Sequence, residues 1–455
     1  MASRTIQKIS NDKLLSFLLL LLFITLPFER ILTFDLAGFT IKPPYIAGIL
    51  LVIYFLYFVV SRKIKVKLES YDYAAIAFIL FSYATFFWSI DRIKTLIISS
   101  MFLFVYLIFL SVRNFACCHS ERSEESQRSF ARHTQPSSGS RDDKLKIDPY
   151  SIYFIWLGVA CSLFALFQFF GDSFGLSQSV TGLSNLYTSS VFGFPRVQST
   201  FFEPGFFANF LLIPIFINMS RLGFKRSYYL SFLIIFVAFL LTLSRGGFFA
   251  FMIAYIVAAI LIIIKKRNNI LIYRSLALMI ASALLALLSI WFVSGSQGLS
   301  NFSNQTTNAQ DLVAGTSQEN VQNFTRNATI KIAINNWKKN IFGIGTGAFG
   351  SLPEFDRTRE LGNQRQTVNS LYPEILVEGG TQSLAAFIIF IGLLIVTFFK
   401  TYWKTGDLKV LFFAISILAI FLQYLSFSTL YLIYVWVFLG LAAASINQKD
   451  QQLLK

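Results

Sequence analysis

Residues 247–264 read GFFAFMIAYIVAAILIII, a run of eighteen residues without a charged side chain. Because a helix rises about 1.5 Å per residue, such a run nearly matches the hydrocarbon core of a bilayer, which is about 30 Å thick. Eleven other blocks along the chain have the same character. We therefore predict about twelve transmembrane helices, at 14–28, 43–60, 72–90, 94–111, 150–170, 203–219, 228–243, 247–264, 273–293, 371–399, 409–427 and 430–446.

The composition argues against a soluble protein of this length. Apolar residues make up 55% of the 455 residues, charged residues only 14%, and 52 residues are phenylalanine, which is more apolar surface than one globular core can bury. Block 14–28 runs on without a small-residue cleavage site, so we interpret it as a retained signal anchor. The predicted fold class is an all-α polytopic integral membrane protein with one large, partly helical loop on the far side from its N-terminus.

The positive charge of the chain is a topology signal. The formal net charge is +16, and 26 of the 39 Lys and Arg residues fall on one side if the predicted helices alternate in direction. Because cytoplasmic loops are enriched in Lys and Arg, this bias places both termini in the cytoplasm. The basic balance therefore indicates contact with membrane lipids, and we expect no nucleic-acid partner.

Five segments are expected along the chain. Residues 1–111 form an N-terminal four-helix membrane segment, 112–149 a disordered cytoplasmic insertion, 150–293 a central set of membrane helices, 294–370 the large outer loop, and 371–455 the C-terminal membrane helices. The insertion is rich in Ser and charged residues, with almost nothing to bury. Block 371–399 is longer than one span, so its first part is predicted to lie outside the membrane.

The large outer loop is expected to change character along its length. Its opening stretch from residue 294 is polar and predicted to be mobile, whereas NATIKIAINNWKKN at 327–340 has Ile330, Ile334 and Trp337 at helical spacing. This spacing predicts an amphipathic helix.

Charged residues are scarce inside the predicted spans and concentrate at their outer ends. Arg196 and Glu203 lie in PRVQSTFFEPGFFANF (195–210), and Arg245 lies in TLSRGG (242–247), a short turn between two spans. Each has an ordinary structural explanation. Glu203 with Pro204 can simply begin a helix, and Arg245 can extend from a helical hairpin to the interface. Together they favour a site at the outer face of the membrane.

A third cluster lies in and after the large loop. Arg326 and Lys331 precede FGIGTGAFG (342–350), and Arg357, Arg359, Arg365, Glu374 and Glu378 follow it. The glycine spacing matches a dinucleotide fingerprint, but no strand precedes it, so we interpret it as a turn or a close approach to a ligand. Arginines bind phosphate oxygens bidentately, and a carboxylate can deprotonate an acceptor hydroxyl, so the cluster suits a pyrophosphate substrate.

The order of these motifs resembles the O-antigen ligase and polymerase superfamily, integral membrane glycosyltransferases that use undecaprenyl-diphosphate-linked glycans. The matching elements are RVQSTFFEPGFFANF (196–210), LTLSRGGFFAF (241–251), Arg326 to Trp337 in the large loop, IFGIGTGAFG (341–350) and VNSLYPEILVEGG (368–380). They cover roughly residues 190 to 400. The resemblance implies a protein of the bacterial inner (cytoplasmic) membrane, which makes the outer loop periplasmic and residues 150–293 an O-antigen ligase-like core.

The resemblance also implies roles for individual residues. Arg196, Arg245 and Arg326 would bind the diphosphate and stabilise its charge while the glycan is transferred to an acceptor hydroxyl by a metal-independent, inverting reaction without a cofactor. Glu203, Glu374 and Glu378 would be the catalytic candidates. Supporting positions in the shared motifs are Trp337, Gly345, Asn369 and Tyr372.

One position departs from the ligases. Those enzymes usually carry His-Asn, with the histidine implicated in catalysis, where this chain has Val368-Asn369. No histidine lies on the predicted outer face, since His119 and His133 are both in the insertion. The Arg196–Pro204 sequence is also more similar to the polymerases. We therefore expect a polysaccharide polymerase, with an O-antigen ligase acting on a lipid A-core or protein acceptor as the alternative.

The resemblance also implies partners for this protein and can be compared with two other functions. The expected partners are an undecaprenyl-diphosphate-linked oligosaccharide, a glycan or lipid acceptor, and a chain-length regulator or flippase of the same pathway. A transporter or flippase of lipid-linked glycans would also have about a dozen spans, but mid-membrane charges are scarce here. A scaffold whose outer loop binds a partner would leave the basic residues at helix ends unexplained. Glycan flux without covalent change would indicate the transporter.

Overall fold

The computed structural model describes residues 13–30, 32–36, 39–62, 64, 66–131, 149–184, 186–187, 194–223, 225–265, 269–314, 326–356 and 367–453. Within them the chain is helical apart from connecting segments and one antiparallel hairpin of strands β1 (Phe34–Leu36) and β2 (Phe39–Ile41). The helices are α1 (Lys13–Thr25), α2 (Pro43–Val60), α3 (Ser70–Ala84), α4 (Arg92–Ala131), α5 (Pro149–Ser173), α6 (Gln178–Thr181), α7 (Pro204–Met219), α8 (Arg226–Leu241), α9 (Arg245–Ile264), α10 (Asn269–Ala314), α11 (Arg326–Lys339), α12 (Leu371–Thr405), α13 (Leu408–Gln423) and α14 (Ile433–Leu453).

The fold class predicted from the sequence is confirmed. Among the described residues, six helices are long and apolar enough to cross a membrane, and five more are shorter and apolar. Every predicted block overlaps one of the helices. The exact number of twelve spans stays a prediction.

Two helices extend further than the apolar blocks that they contain. Helix α4 continues into the predicted insertion as far as Ala131, and residues 132–148 lie outside the described part of the chain. Helix α10 continues to Ala314, where a mobile polar stretch was predicted from residue 294. Neither helix contains a proline, and extending a helix that has already formed costs far less than starting one.

The described residues cluster into two compact units. The first comprises Met1–Leu68, Phe104–Leu157 and Leu432–Lys455; the second comprises Glu69–Leu103 and Gly158–Tyr431. The division into five segments stays a prediction. Residues 69–103 belong to the second unit because α3 packs along α12, with the rings of Phe78 and Phe387 5.4 Å apart.

Within the second unit, four helices bring their ends to one place. Helices α7 and α9 begin where α8 and α13 end. The Val197 N–H, in the segment before α7, donates to the carbonyl of Leu241, the last residue of α8. Gln423, the last residue of α13, donates to the Gly205 carbonyl in the first turn of α7. Helices α7 and α9 both pack against α13. This shared end holds the candidate site.

Helix α12 is broken near its start. Gly380 has φ 79° and ψ 178°, which divides α12 into a short first part and a long second part. A Cβ at Gly380 would overlap the backbone of Phe342, so the glycine lets the loop 341–350 approach the break. The loop forms two hydrogen bonds to backbone carbonyls near the break. The Ile344 N–H donates to the Val377 carbonyl at 2.9 Å, and the Gly345 N–H donates to the Glu378 carbonyl at 3.0 Å.

Helix α11 is the helix predicted from the sequence of the large loop, but its buried face is somewhat different. Its most buried side chains are Thr329, Ala333 and Asn336, while Ile330 and Trp337 are only partly buried. The helix covers a small apolar cluster that includes Phe349 and Val368. Small side chains at the centre of this face let the α11 backbone lie close to that cluster.

Candidate active site at three helix N-termini

A cavity of about 500 Å³ opens at the shared helix end of the second unit. The structure brings four of the predicted residues together in its wall: Arg196, Arg245, Arg326 and Glu203. The other lining residues are Tyr187, Pro204, Gly205, Leu243, Ser244, Gly246, Ser426 and Phe427. The three motifs that carry these arginines are far apart in sequence but border one space.

Glu203 stands at the start of α7 with its carboxylate available to the cavity. It is the N-cap residue, Pro204 follows at the first helical position, and the Glu203 carbonyl accepts from the N–H groups of Phe206 and Phe207. Among the described residues its carboxylate accepts no capping hydrogen bond from α7. The simple role of a helix cap therefore leaves the Glu203 carboxylate unexplained.

Arg245 is the first residue of α9, and its turn is held by local hydrogen bonds. The Ser244 hydroxyl caps the helix by accepting from the Gly247 N–H at 3.3 Å. The Thr242 hydroxyl accepts from the Ser244 N–H at 3.2 Å, and Leu243 between them has φ 49°. This tight turn directs Arg245 to the cavity.

Arg196 lies before α7 and is held from two sides. Its Nε donates to the Thr242 carbonyl at 3.2 Å, which ties it to the turn that carries Arg245. Its guanidinium lies 5.9 Å from the ring centre of Tyr187, and its backbone N–H donates to the Tyr187 carbonyl at 2.8 Å. Two remaining guanidinium nitrogens can serve a ligand.

Arg326 is the first residue of α11 and is anchored from the opposite side. Its Nη2 donates to the Ser426 carbonyl at 2.7 Å. The helix start is held in turn by the Thr329 hydroxyl, which lies 2.9 Å from the Val368 carbonyl. The arginine that the sequence places in a large loop is thereby attached to the segment after α13.

The cavity suits an anion. Three guanidinium groups face one carboxylate, so the wall carries an excess of positive charge. In addition, α7, α9 and α11 all begin at the cavity, and each helix N-terminus adds a partial positive charge and backbone N–H groups. Phosphate-type groups are the ligands that such an arrangement favours.

The ionisable groups influence one another across the cavity. Burial lowers the pKa of Arg196; Tyr187 and Glu203 oppose this shift, while the positive charge of Arg245 adds to it. Burial raises the pKa of Glu203, and the positive charge of Arg196 offsets part of the rise. A carboxyl group with a raised pKa is a stronger base than one free in water.

The other two predicted carboxylates do not line the cavity. Glu378 accepts from the N–H groups of Gly347 and Phe349 at 2.7 and 3.1 Å, so it holds the glycine-rich loop. Glu374 accepts from the Val368 N–H at 3.3 Å and pairs with the Ser428 hydroxyl. These contacts are structural ones within the fold.

The four predicted supporting residues also lie outside the cavity wall. Trp337 donates from its indole N–H to the Thr381 hydroxyl, and the Tyr372 hydroxyl donates to the Phe421 carbonyl.

The other two supporting residues have positive φ angles. Gly345 has φ 115°, and a Cβ there would overlap the Ser89 hydroxyl. Asn369 is exposed, with φ 54°, and accepts from the Thr367 hydroxyl. Arg357, Arg359 and Arg365 lie outside the described residues.

Several residues that border the cavity or support the glycine-rich loop were not predicted from the sequence. Tyr187 and Ser426 border the cavity, but neither lies in a charged motif. The segment after α3 supports the glycine-rich loop, since Trp88 donates to the Gly343 carbonyl and the Ile90 N–H to the Ile344 carbonyl. A lone polar residue in an apolar block gives no local signal of such long-range contacts.

The comparison with known proteins covers four of the five matching elements, those at 241–251, 326–337, 341–350 and 368–380. Residues 230–388 match the family model described as O-antigen ligase, a range that includes Arg245 and Arg326 but not Arg196 or Glu203. A search of the curated proteins finds no match to the chain. Over residues 230–388 the resemblance to the O-antigen ligase-related superfamily is thus confirmed, and its apolar helices make the chain a multi-pass membrane protein.

Proposed function

We propose that this protein is a metal-independent, inverting glycosyltransferase of surface polysaccharide assembly. It transfers a glycan from undecaprenyl diphosphate to an acceptor hydroxyl at the periplasmic face of the bacterial inner membrane. The family match indicates a ligase- or polymerase-like function, and within that range we favour the polymerase. The observation that carries the proposal is the single cavity bordered by Arg196, Arg245, Arg326 and Glu203.

The proposed chemistry follows from the charges around the cavity. The acceptor oxygen attacks the anomeric carbon as the bond from that carbon to the diphosphate oxygen breaks. Undecaprenyl diphosphate leaves with the electron pair, and the three arginines stabilise its growing negative charge. Glu203 takes the proton of the acceptor hydroxyl. Donors already in place around a leaving anion lower the barrier more than groups that must first reorient.

The location of the cavity supports a lipid-linked donor. It lies at the ends of apolar helices, where α7 and α9 begin and where α8 and α13 end. A diphosphate at this level leaves its polyprenyl chain within the bilayer and its sugar in water. The predicted topology puts this end on the periplasmic side.

The polymerase is favoured by the environment of Val368. Its side chain is fully buried in an apolar cluster with Ala333 and Phe349, where the ligases usually have a histidine. This chain therefore has no imidazole at that position. Glu203 in the cavity wall supplies a base, so the transfer does not need a histidine at position 368. A ligase remains the second candidate because the matching family model is described as O-antigen ligase.

The first experiment is deletion of the gene in its host and separation of the surface and lipid-linked glycans by size. Complementation uses the wild type, Arg196→Ala, Glu203→Ala and, as a control, Arg226→Ala. Like Arg245, Arg226 is an exposed first residue of a helix, but it begins α8, whose other end reaches the site.

Each outcome has a defined meaning. Single repeat units on the final acceptor, without a ladder, identify a polymerase, and failure of Arg196→Ala and Glu203→Ala to restore the ladder supports the site. Long chains that remain on the lipid carrier identify a ligase. Lipid-linked units trapped on the cytoplasmic side would instead indicate a flippase and contradict the proposed transfer reaction.

A further inference from the structure

The end of α13 contacts all three helix starts that border the cavity. Gln423 is almost fully buried, with 1% of its surface exposed. Its Nε2 donates to the Gly205 carbonyl at 2.9 Å, and its Oε1 accepts from the Asn209 amide at 3.2 Å. One side chain thereby fixes the first and second turns of α7 to the end of α13.

Ser426, three residues later, connects the other two helix starts. Its carbonyl accepts from Arg326 at the start of α11. Its side chain touches α9, because a Cβ at Gly246 would overlap the Ser426 hydroxyl and lie 2.5 Å from its Cβ. The Ser426 hydroxyl and N–H both donate to the Gln423 carbonyl at 2.7 Å, so the two residues act as one turn.

We propose that Gln423 and Ser426 are positioning residues, which set the spacing of the helix N-termini and arginines around the diphosphate site. They lie outside the matched range 230–388 and outside every motif that the sequence analysis used. The inference rests on the proposed function, since it assumes that the cavity binds a diphosphate. Electrostatic stabilisation of an anion depends steeply on such spacing, because every donor must reach the same few oxygens.

Gly246 offers a sharp test of this spacing. Its φ does not require a glycine, and alanine is normally favourable in a helix, so Gly246→Ala changes chiefly the approach of α9 to Ser426. The added methyl group must push the start of α9 and Arg245 away from Ser426. Ser426→Gly in the same chain removes both atoms that the methyl group would meet. Gly392→Ala, in α12, is the matched control, because nothing lies within 4 Å of its added Cβ.

The measurement is binding of inorganic pyrophosphate to the purified, detergent-solubilised full chain by isothermal titration calorimetry, with melting temperatures recorded beside it. We expect Gly246→Ala to weaken binding at least tenfold relative to Gly392→Ala. The pair Gly246→Ala with Ser426→Gly should recover to within about threefold of Ser426→Gly alone. A merely structural effect would lower the melting temperature without this recovery of affinity.

Gln423→Met keeps the inference testable if Gly246→Ala does not fold. Methionine fills a similar volume but cannot donate to the Gly205 carbonyl, and we expect binding to weaken several-fold. If wild type binds pyrophosphate, Arg196→Ala abolishes it, and the positioning variants bind like Gly392→Ala, the inference is wrong while the proposed site stands. If wild type itself shows no binding, the proposed diphosphate site is wrong and the inference falls with it.

Discussion

At the level of single residues, Arg245 and Arg326 are the first residues of helices, whereas Arg196 lies in the segment before α7. Arg196 donates to Thr242 and Arg326 to Ser426, both through backbone carbonyls. These bonds use part of each guanidinium and direct the rest to the cavity. Lysine has a single point charge and lacks this planar set of donors, so it is a poor substitute.

The first prediction concerns these arginines. Arg196→Ala, Arg245→Ala and Arg326→Ala should each lower kcat for glycan transfer about 100-fold or more, as expected for loss of one donor to a leaving anion. Arg196→Lys should recover only a small part of that loss. Single-turnover transfer from a purified lipid-linked donor measures the effect. Arg226→Ala should transfer glycan at the wild-type rate. A loss in Arg226→Ala as large as the losses in the three cavity variants would contradict the site.

The second prediction concerns the pH dependence of transfer. Burial raises the pKa of Glu203, and a base must be deprotonated to act, so activity should fall as pH drops through that raised value. The acid limb of kcat/KM should therefore lie above the ordinary glutamate pKa of about 4.3. Glu203→Gln should lose this limb along with most of the activity. An unchanged limb in Glu203→Gln would assign the proton to another group.

At the level of elements, the broken helix α12 and the glycine-rich loop form one hydrogen-bonded unit. The loop donates to Val377 and Glu378 carbonyls, while the Glu378 carboxylate accepts from Gly347 and Phe349. Thr381 N–H completes the pairing by donating to Ile341 O. The unit depends on glycine because its backbones approach too closely for a Cβ, and several of its φ angles are positive.

The third prediction tests this break. Gly380→Ala should destabilise the protein by about 2 kcal/mol or more, because its backbone conformation is open essentially only to glycine and its Cβ would overlap Phe342. Gly392→Ala, further along the same helix, should be neutral or slightly stabilising, since nothing lies within 4 Å of its Cβ. Denaturation in detergent compares the two. Equal stability would show that α12 is not broken at Gly380.

The fourth prediction separates Glu378 from the cavity carboxylate. Glu378→Gln replaces one of the two carboxyl oxygens that accept from backbone N–H groups by an NH2 group, which cannot accept, and should cost about 1–3 kcal/mol of stability. Its effect on the rate of transfer per folded molecule should be small. Glu354→Gln is the control, since Glu354 is exposed and pairs only with the Asn336 amide among the described residues. A large loss of kcat at unchanged stability would return Glu378 to the catalytic candidates.

At the level of the whole molecule, the direction of insertion decides which compartment the cavity faces. The distribution of Lys and Arg predicts cytoplasmic termini, which puts the starts of α7 and α9 on the periplasmic side. An undecaprenyl-diphosphate-linked glycan ready for polymerisation is expected on that side.

The fifth prediction tests this orientation by cysteine labelling. Cys117, Cys118 and Cys161 are first replaced, and a single cysteine is introduced as Ser137→Cys or Ser317→Cys. A membrane-impermeant maleimide added to cells with a permeabilised outer membrane should label the second variant but not the first. Lysed cells, in which both should react, are the control. The opposite pattern would place the cavity in the cytoplasm and contradict the proposed reaction.

Much of the fold was accessible from local sequence. The predicted blocks 43–60 and 247–264 agree with the bounds of α2 and α9 to within two residues. The agreement is good because length and apolarity largely decide whether a segment forms a membrane-spanning helix. Glu203 with Pro204 likewise marked the start of α7. The extension of α10 to Ala314 was missed, because a polar stretch without proline can either continue a helix or leave it.

The candidate site was accessible only in part. Arg196, Arg245 and Arg326 stood out as charges at the ends of apolar blocks, and the structure gathers them around one cavity. Glu374 and Glu378 were predicted to join them, but these two residues bind backbone and side-chain groups of the fold. A carboxylate near a glycine-rich loop looks the same in sequence whether it meets a substrate or the loop itself.

The sequence by itself determined the fold class, the apolar helices that can cross a membrane and the resemblance to the superfamily, because each depends on short stretches of chain. Only the tertiary structure decided that three helix starts meet, that Glu203 rather than Glu378 shares their cavity, and that Gln423 and Ser426 hold them together. A helix forms through bonds between neighbours four residues apart. The meeting of α7, α9 and α11 with the end of α13 instead depends on contacts between residues 100 or more positions apart in the sequence, for which no local pattern exists.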